Sequence, residues 1–172
     1  MQTGSRFRHT RALVKIALRL LLLAAVLPFL AMAKKPDITV RFFVEANKMD
    51  SEKFAAPIKL QNPPRETYIE KIPSISEMYI RAVYPFEADD GTWGCVFKLD
   101  EKGRIDLEVV STERRGSSLV VFVGTKNGVH QVIDMVIDKR VTDGIISVSR
   151  GLTEMEIAAI TKKFPVLGKP KK

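Results

Sequence analysis

An α+β fold, an antiparallel sheet with two helices packed on one face behind an N-terminal signal peptide, is predicted by three observations in the sequence. Apolar residues alternate with polar ones in several short runs, which marks half-buried strands. Asp89-Asp90-Gly91 and Asn127-Gly128 lie between such runs and carry the turn chemistry of hairpins. Two stretches of helical spacing open on capping residues, Asp100 and Thr153.

Taken from the N-terminus, Arg6, Arg8, Arg11, Lys15 and Arg19 precede an uncharged run from Leu20 to Ala33. That run ends in Ala31-Met32-Ala33, a small-x-small pattern that a signal peptidase pocket admits, so cleavage is expected after Ala33. A bilayer-spanning helix needs about 20 apolar residues, a length reached here only by recruiting Lys15 and Arg19. Pro28 also suits a leader. The alternative is an uncleaved signal anchor, favoured by Lys34-Lys35 directly after the cut. The whole chain has 28 Lys and Arg against 20 Asp and Glu, a net charge of +8. Without the five leader cations the balance is 23 against 20, or +3, and Lys162, Lys163, Lys169, Lys171 and Lys172 lie near the end. The folded body therefore has no basic face for phosphate, and nucleic acid is excluded as a partner.

The expected organisation is a leader over 1–33, an N-terminal strand and irregular connection over 34–66, an α+β domain over 67–165 and a basic tail over 166–172. Ile38, Val40, Phe42 and Val44 alternate with polar residues and predict the first strand. Pro57, Pro63 and Pro64 interrupt the following segment, which reads as irregular with one short strand near Ile58. Met78, Ile80, Ala82, Tyr84 and Phe86 share one face of the next strand. Trp93, Cys95, Phe97 and Leu99 share one face of its hairpin partner. Pro85 places the first arm at a sheet edge or bulge, and Gly94 marks an irregularity on the second. Cys95, the only cysteine, is expected to be a buried core thiol.

Asp100 is expected to cap a helix to about Arg115, with Gly116 beyond its end and Ile105, Leu107, Val109 and Val110 facing the core. Leu119 to Val123 is apolar without a break, which suggests the central strand. Asn127-Gly128 turns the chain into a strand reaching Ile137, and Ile145 to Val148 forms a further strand after the Thr142-Asp143-Gly144 turn. Thr153 and Glu156 make a capping box, with Leu152 and Ile157 spaced as a hydrophobic staple. Ile157, Ile160 and Phe164 form the buried stripe of that last helix, and Pro165 stops it.

Three groups of residues carry a likeness. Tyr68-Ile69-Glu70-Lys71-Ile72-Pro73 leads into Ser76 to Ile80. Phe97-Lys-Leu99-Asp100-x-x-Gly103 leads through Leu107 to Gly116 and Leu119 to Val123. Val132-Ile133 leads through Ile145 to Val148 and on to Gly151-Leu-Thr153 and Glu156. From Tyr68 to Ile160 this order resembles the head of the first periplasmic domain of SecD, in the SecDF family of protein-export factors. The resemblance implies a bacterial envelope protein that contacts polypeptide, with Asp100, Gly103, Leu107, Gly116, Gly151, Thr153 and Glu156 as family-like structural positions. Two departures stand out. Gly124 to Gln131 is longer than the family's hairpin, which leaves that loop open to another role, and Asp134-Met135 replaces a family proline. The family's membrane helices are not seen in the sequence, so a motor driven by a proton gradient is not expected.

The chemistry-bearing residues point away from catalysis. With His9 in the leader, His130 is the one histidine of the remainder, and a Cys/His zinc site lacks ligands. No Gly-x-Ser-x-Gly elbow accompanies His130, which reads as a solvated residue at a strand end. Asp134 and Asp138 are separated by roughly 13 Å along one strand, too far for a hydrolytic carboxylate pair. Asp89 and Asp90 read as turn residues, and Arg114-Arg115 suits a helix C-terminus. No catalytic residue, metal or cofactor is expected. The expected function is a non-enzymatic extracytoplasmic module that binds polypeptide by adding it to the edge of Met78 to Phe86 or of Ile38 to Val44. The alternative is an accessory subunit, anchored by its leader, that docks on the export machinery or another envelope complex. A small hydrolase ranks third.

Overall fold

The computed structural model describes residues 38–47, 49–50 and 53–168. The leader expected over 1–33, with Ala31 and Ala33 at its cleavage pattern, lies outside the described residues. Among the described residues no helix is long and apolar enough to cross a membrane. The elements are β1 (Thr39–Val44), β2 (Ala55–Gln61), β3 (Pro64–Glu70), β4 (Ile75–Ser76), a 3-10 turn (Glu77–Tyr79), β5 (Ile80–Glu87), β6 (Trp93–Leu99), α1 (Glu101–Glu113), β7 (Ser118–Thr125), β8 (Gly128–Val136), β9 (Ile145–Leu152) and α2 (Glu154–Lys163). The class is the predicted one, α+β with antiparallel strand pairings and two helices. The strands divide into a four-stranded sheet in the order β4-β1-β7-β8, a three-stranded sheet in the order β5-β6-β9, and the β2-β3 hairpin.

The main core lies between the first two sheets. Val40, Phe42, Val44, Val121 and Val123 face Val83, Cys95, Phe97, Val148 and Leu152 in one buried cluster. Phe42 meets Phe97 edge to face, with ring centroids 5.6 Å apart. Leu107 from α1 and Ile157, Ile160 and Phe164 from α2 join the same cluster. β7 sits between β1 and β8, as continuous apolarity suggests, and alternation sends its side chains two ways. Leu119, Val121 and Val123 enter the main core, while Val120 and Phe122 point to the opposite face.

That opposite face is covered by the segment expected to be irregular. β2 and β3 pair along their whole length, from Ala55 with Glu70 to Gln61 with Pro64. Leu60 and Ile69 bury Val120, with Phe43, Ala56, Ile58 and Phe122 packed around them. The prolines that argued against strands occupy positions where strands tolerate them: Pro57 lies on an edge strand and Pro64 is the first residue of β3. Burying a valine such as Val120 contributes about 1.5–3 kcal/mol, a gain that alternation alone does not announce on a second face.

Two polar contacts hold the hairpin in place. The buried Asp134 carboxylate accepts from the backbone amides of Gln61 at 2.7 Å and Asn62 at 2.9 Å, and from Gln131 Nε2 at 3.3 Å. Glu45, just past β1, accepts from Arg65 Nη2 at 2.6 Å, Thr67 Oγ1 at 2.8 Å and the Ser118 amide at 3.1 Å. The Arg65 guanidinium, helped by Thr67 and Ser118, holds the Glu45 carboxyl down at about 2, against an ordinary value of 4.5.

Three further expectations change in detail. A register shift between Ile80 and Ala82 moves the phase of β5. Val83 is buried, Tyr84 is exposed, and Met78 falls in the 3-10 turn with its side chain exposed. On α1 the buried positions are Gly103, Leu107 and Ser111, one helical turn apart, with Val110 partly buried; Ile105 and Val109 are about half exposed. The stretch from Gly124 to Gln131 is no loop, because β7 and β8 continue to a two-residue turn at Lys126-Asn127. A register shift between Val121 and Phe122 leaves Val132 as the extra residue there.

Replacing Asp134 with alanine strips both hairpin amides of their acceptor and is expected to cost about 3 kcal/mol, read as a lowered urea midpoint. A loss below about 0.5 kcal/mol would show that the contact does not hold the hairpin. Glu45 is held below its unfolded value, so its contribution is complete above pH 4.5 and fades as pH falls toward about 2. Glu45→Gln should therefore have a shallower fall in melting temperature across that window than the unmodified chain, and parallel curves would refute the assignment.

Candidate functional site

The β7–β8 turn and the first turn of α2 together frame a groove of about 600 Å³ at one end of the main core. Its apolar lining comes from Ile38, Met155 and Ala159, and its polar lining from Thr125, Lys126, Asn127, His130, Thr153 and Glu156. Strand alternation explains the convergence. Thr125 and His130 share the inner face of the sheet with Val123, and Ile38 shares it with Val40 and Phe42. A hollow of this size accommodates a few side chains of a ligand.

Glu156 organises the polar side. One carboxylate oxygen accepts from the Thr153 amide and from Thr153 Oγ1, both at 2.9 Å, and Thr153 Oγ1 accepts from the Glu156 amide at 3.3 Å, completing the predicted capping box. The other oxygen stands 3.1 Å from His130 Nδ1. Glu156 is buried while the His130 side chain is 46% exposed, so His130, the third residue of β8, is solvated near the strand's start and also has a carboxylate partner across the groove. An activated hydroxyl needs the imidazole beside it with the acid behind. Here hydroxyl and imidazole are each tied to the carboxylate, so His130 does not activate Thr153.

The family-like positions serve the frame of the fold. The Asp100 carboxylate accepts from the Gly103 amide at 2.8 Å and starts α1. A Cβ on Gly103 would stand 2.7 Å from Tyr79 Cβ, and one on Gly151 would stand 2.7 Å from the Val132 carbonyl, so close packing requires both glycines. Leu107 is buried in the main core, and Gly116 donates to Ile137 at 2.8 Å just beyond α1. Only Thr153 and Glu156 reach the groove. The signals missed were Ile38, Met155 and Ala159, whose apolar character marked core but not an open end.

Other reactive groups are committed elsewhere. Asp90 accepts from the Thr92 amide at 3.0 Å and Thr92 Oγ1 at 2.6 Å, which lowers its pKa and accounts for it as a turn residue. Arg114 pairs with Glu70 at 2.6 Å, tying α1 to β3, and Arg115 donates to the Asp138 carbonyl. Among the described residues no group of three His, Cys, Asp or Glu is placed to hold a metal ion.

Neither edge named as a peptide-binding strand is open along its length. β1 is flanked by β7 and, at Arg41 and Phe42, by β4, and Lys163 Nζ donates to the Ile38 carbonyl. β5 lacks an amide donor at Pro85, and its Val83 backbone is engaged by the segment after α2.

No protein-family model and no curated protein matches the sequence. Solved structures do. The whole chain, 100%, aligns with 77% of a chain from the structure and function of a membrane component, SecDF, that enhances protein export, at 14% identity and a TM-score of 0.51. A SecDF chain crystallised in a super-membrane-facing form aligns with 76% of this chain at 15% identity and a TM-score of 0.49, and this chain spans 19% of that one. The resemblance to SecDF carried by motif order is thus also a likeness of fold.

Cys95 is wholly buried, and burial pushes its thiol up to about 12. Iodoacetamide at about pH 8 should leave it unmodified in the folded chain and alkylate it in denaturant, as mass spectrometry would register. Labelling at equal rates in both states would contradict a core thiol.

Proposed function

We propose that this chain is a non-enzymatic, extracytoplasmic module of the SecDF type that binds polypeptide, seating apolar side chains of an unfolded segment in the groove between the β7–β8 turn and α2. The observation that carries the reading is the groove's composition. Ile38, Met155 and Ala159 provide apolar contact, and Thr125, Lys126 and Asn127 offer polar contacts at its rim. The fold shared with a SecDF component that enhances protein export supports the same reading. Exposed Met155 suits a site that takes varied sequences, because an unbranched thioether adapts its shape.

A second reading, an accessory subunit docking on the export machinery or another envelope complex, is favoured by Ile105 and Val109. Both present apolar surface on α1 that the main core does not cover. A chain retained intact in the membrane fraction favours docking, while a product beginning at Lys34 favours the free binder.

Met155→Glu places a charge in the apolar half of the groove at an exposed position and should leave the urea midpoint unchanged. Its affinity for reduced, carboxymethylated lactalbumin, a permanently unfolded probe, is expected to fall by about tenfold, equivalent to about 1.4 kcal/mol. Binding equal to that of the unmodified chain would remove the groove from consideration.

A further inference from the structure

α2 is 10 residues, or about 15 Å, long, and where the chain leaves it, it pairs through its backbone with the outer edge of β5. β5 pairs with β6 on one side only. On its other side the Val83 amide donates to the Pro165 carbonyl at 2.9 Å, and the Leu167 amide donates to the Val83 carbonyl at 2.8 Å. This is the pattern of one parallel bridge, Val83 with Val166. Val166 packs against the main core.

The strap is short for reasons its own sequence supplies. The helix runs to Lys163 and the Phe164 amide is still bound to the Ile160 carbonyl, so the chain before Pro165 is not free to run along β5. After Leu167, Gly168 has φ of +81° and leaves the extended conformation. Pairing is therefore confined to Val166, although β5 continues to Glu87. Pro85 has no amide to donate, which disfavours pairing of this edge with the same edge of a second copy. A parallel segment can still donate its own amide to the Pro85 carbonyl and loses one bond there, where a pair of such edges loses two.

We propose that the outer edge of β5 is a polypeptide site, filled in the resting chain by residues 165–167, which yields to an extended apolar segment adding parallel to β5 with a Val, Ile or Leu in place of Val166. The strap is tethered at high effective concentration, so it lowers the apparent affinity for any free segment until it lifts away. This site is separate from the groove, so Met155→Glu is expected to bind a peptide at the β5 edge as the unmodified chain does, whatever becomes of its binding to the unfolded probe.

The test uses a fluorescent peptide with the sequence of residues 164–168 as probe. Leu167→Pro removes the amide that donates to Val83 and lies beyond the end of α2. By fluorescence anisotropy the variant is expected to bind the probe at least about tenfold more tightly than the unmodified chain. Its Val83 amide should exchange quickly and become protected when the probe is added. Equal affinity of the two chains, or a Val83 amide equally protected in the variant without probe, overturns the proposal. Should the variant fail to fold, saturating probe on the unmodified chain must speed exchange at Leu167 and keep Val83 protected. No change at Leu167, or a dimer formed by exchanging residues 165–167 between copies, overturns it as well.

Discussion

β7 is withdrawn from water on both faces, and the placement of the other layers follows from that constraint. A strand reading Leu-Val-Val-Phe-Val has no polar side to offer solvent, so it needs two covers. The three-stranded sheet and helices supply one through Phe97, Val148 and Ile160, and the β2–β3 hairpin supplies the other through Leu60 and Ile69. Aromatic pairs occur on each side: Phe42 on Phe97 in the main core, and Phe43 on Phe122 beneath the hairpin. Neighbouring residues of one strand thus bury two covers, which also meet directly where Arg114, at the end of α1, pairs with Glu70 of β3.

A two-stranded hairpin has little stability of its own, so its attachment matters as much as its packing. Asp134 does this by accepting the two amides at the hairpin tip, Glu45 by accepting Arg65 and Thr67 near its return, and Arg114 by pairing with Glu70 at its base. Each is a buried or half-buried charge satisfied by several donors or by an opposite charge, the condition under which such groups are tolerated away from water. Glu156 follows the same rule at the other end of the molecule, where one carboxylate both caps α2 and reaches His130. The groove lies beside a rigid carboxylate, while its Met155 wall is adaptable.

A likeness of fold at 14% identity is what such a constraint allows. Few residues must be kept for the same layers to form: caps that start helices, glycines where backbones nearly touch, and apolar residues of suitable size between the sheets. Asp100, Thr153, Gly103 and Gly151 are of this kind, and they coincide with the motifs from which the resemblance was read. The open ends of the layers, where the groove lies, are under no such constraint, and their composition is free to change.

The strands near Val40, Cys95, Val121 and Ile133, the cap residues Asp100 and Thr153, and the class of fold were all legible in the sequence. Each rests on interactions spanning few residues: alternation, a side chain reaching an amide three positions on, a turn dipeptide. The hairpin from Ala55 to Glu70 was hidden by three prolines, because edge-strand tolerance is a property of neighbours and not of the proline itself. The phase of β5 and the exposed Ile105 and Val109 were misread for a related reason: a bulge, or a helix rotated on its axis, changes which face is inward without altering the local pattern. Ile38, Met155 and Ala159 meet only when β1 and α2 come together, so the groove was decided by tertiary structure. Local periodicity and capping therefore determined which elements exist, and the choice of what covers them, and of which ends stay open, belonged to contacts between residues far apart in the chain.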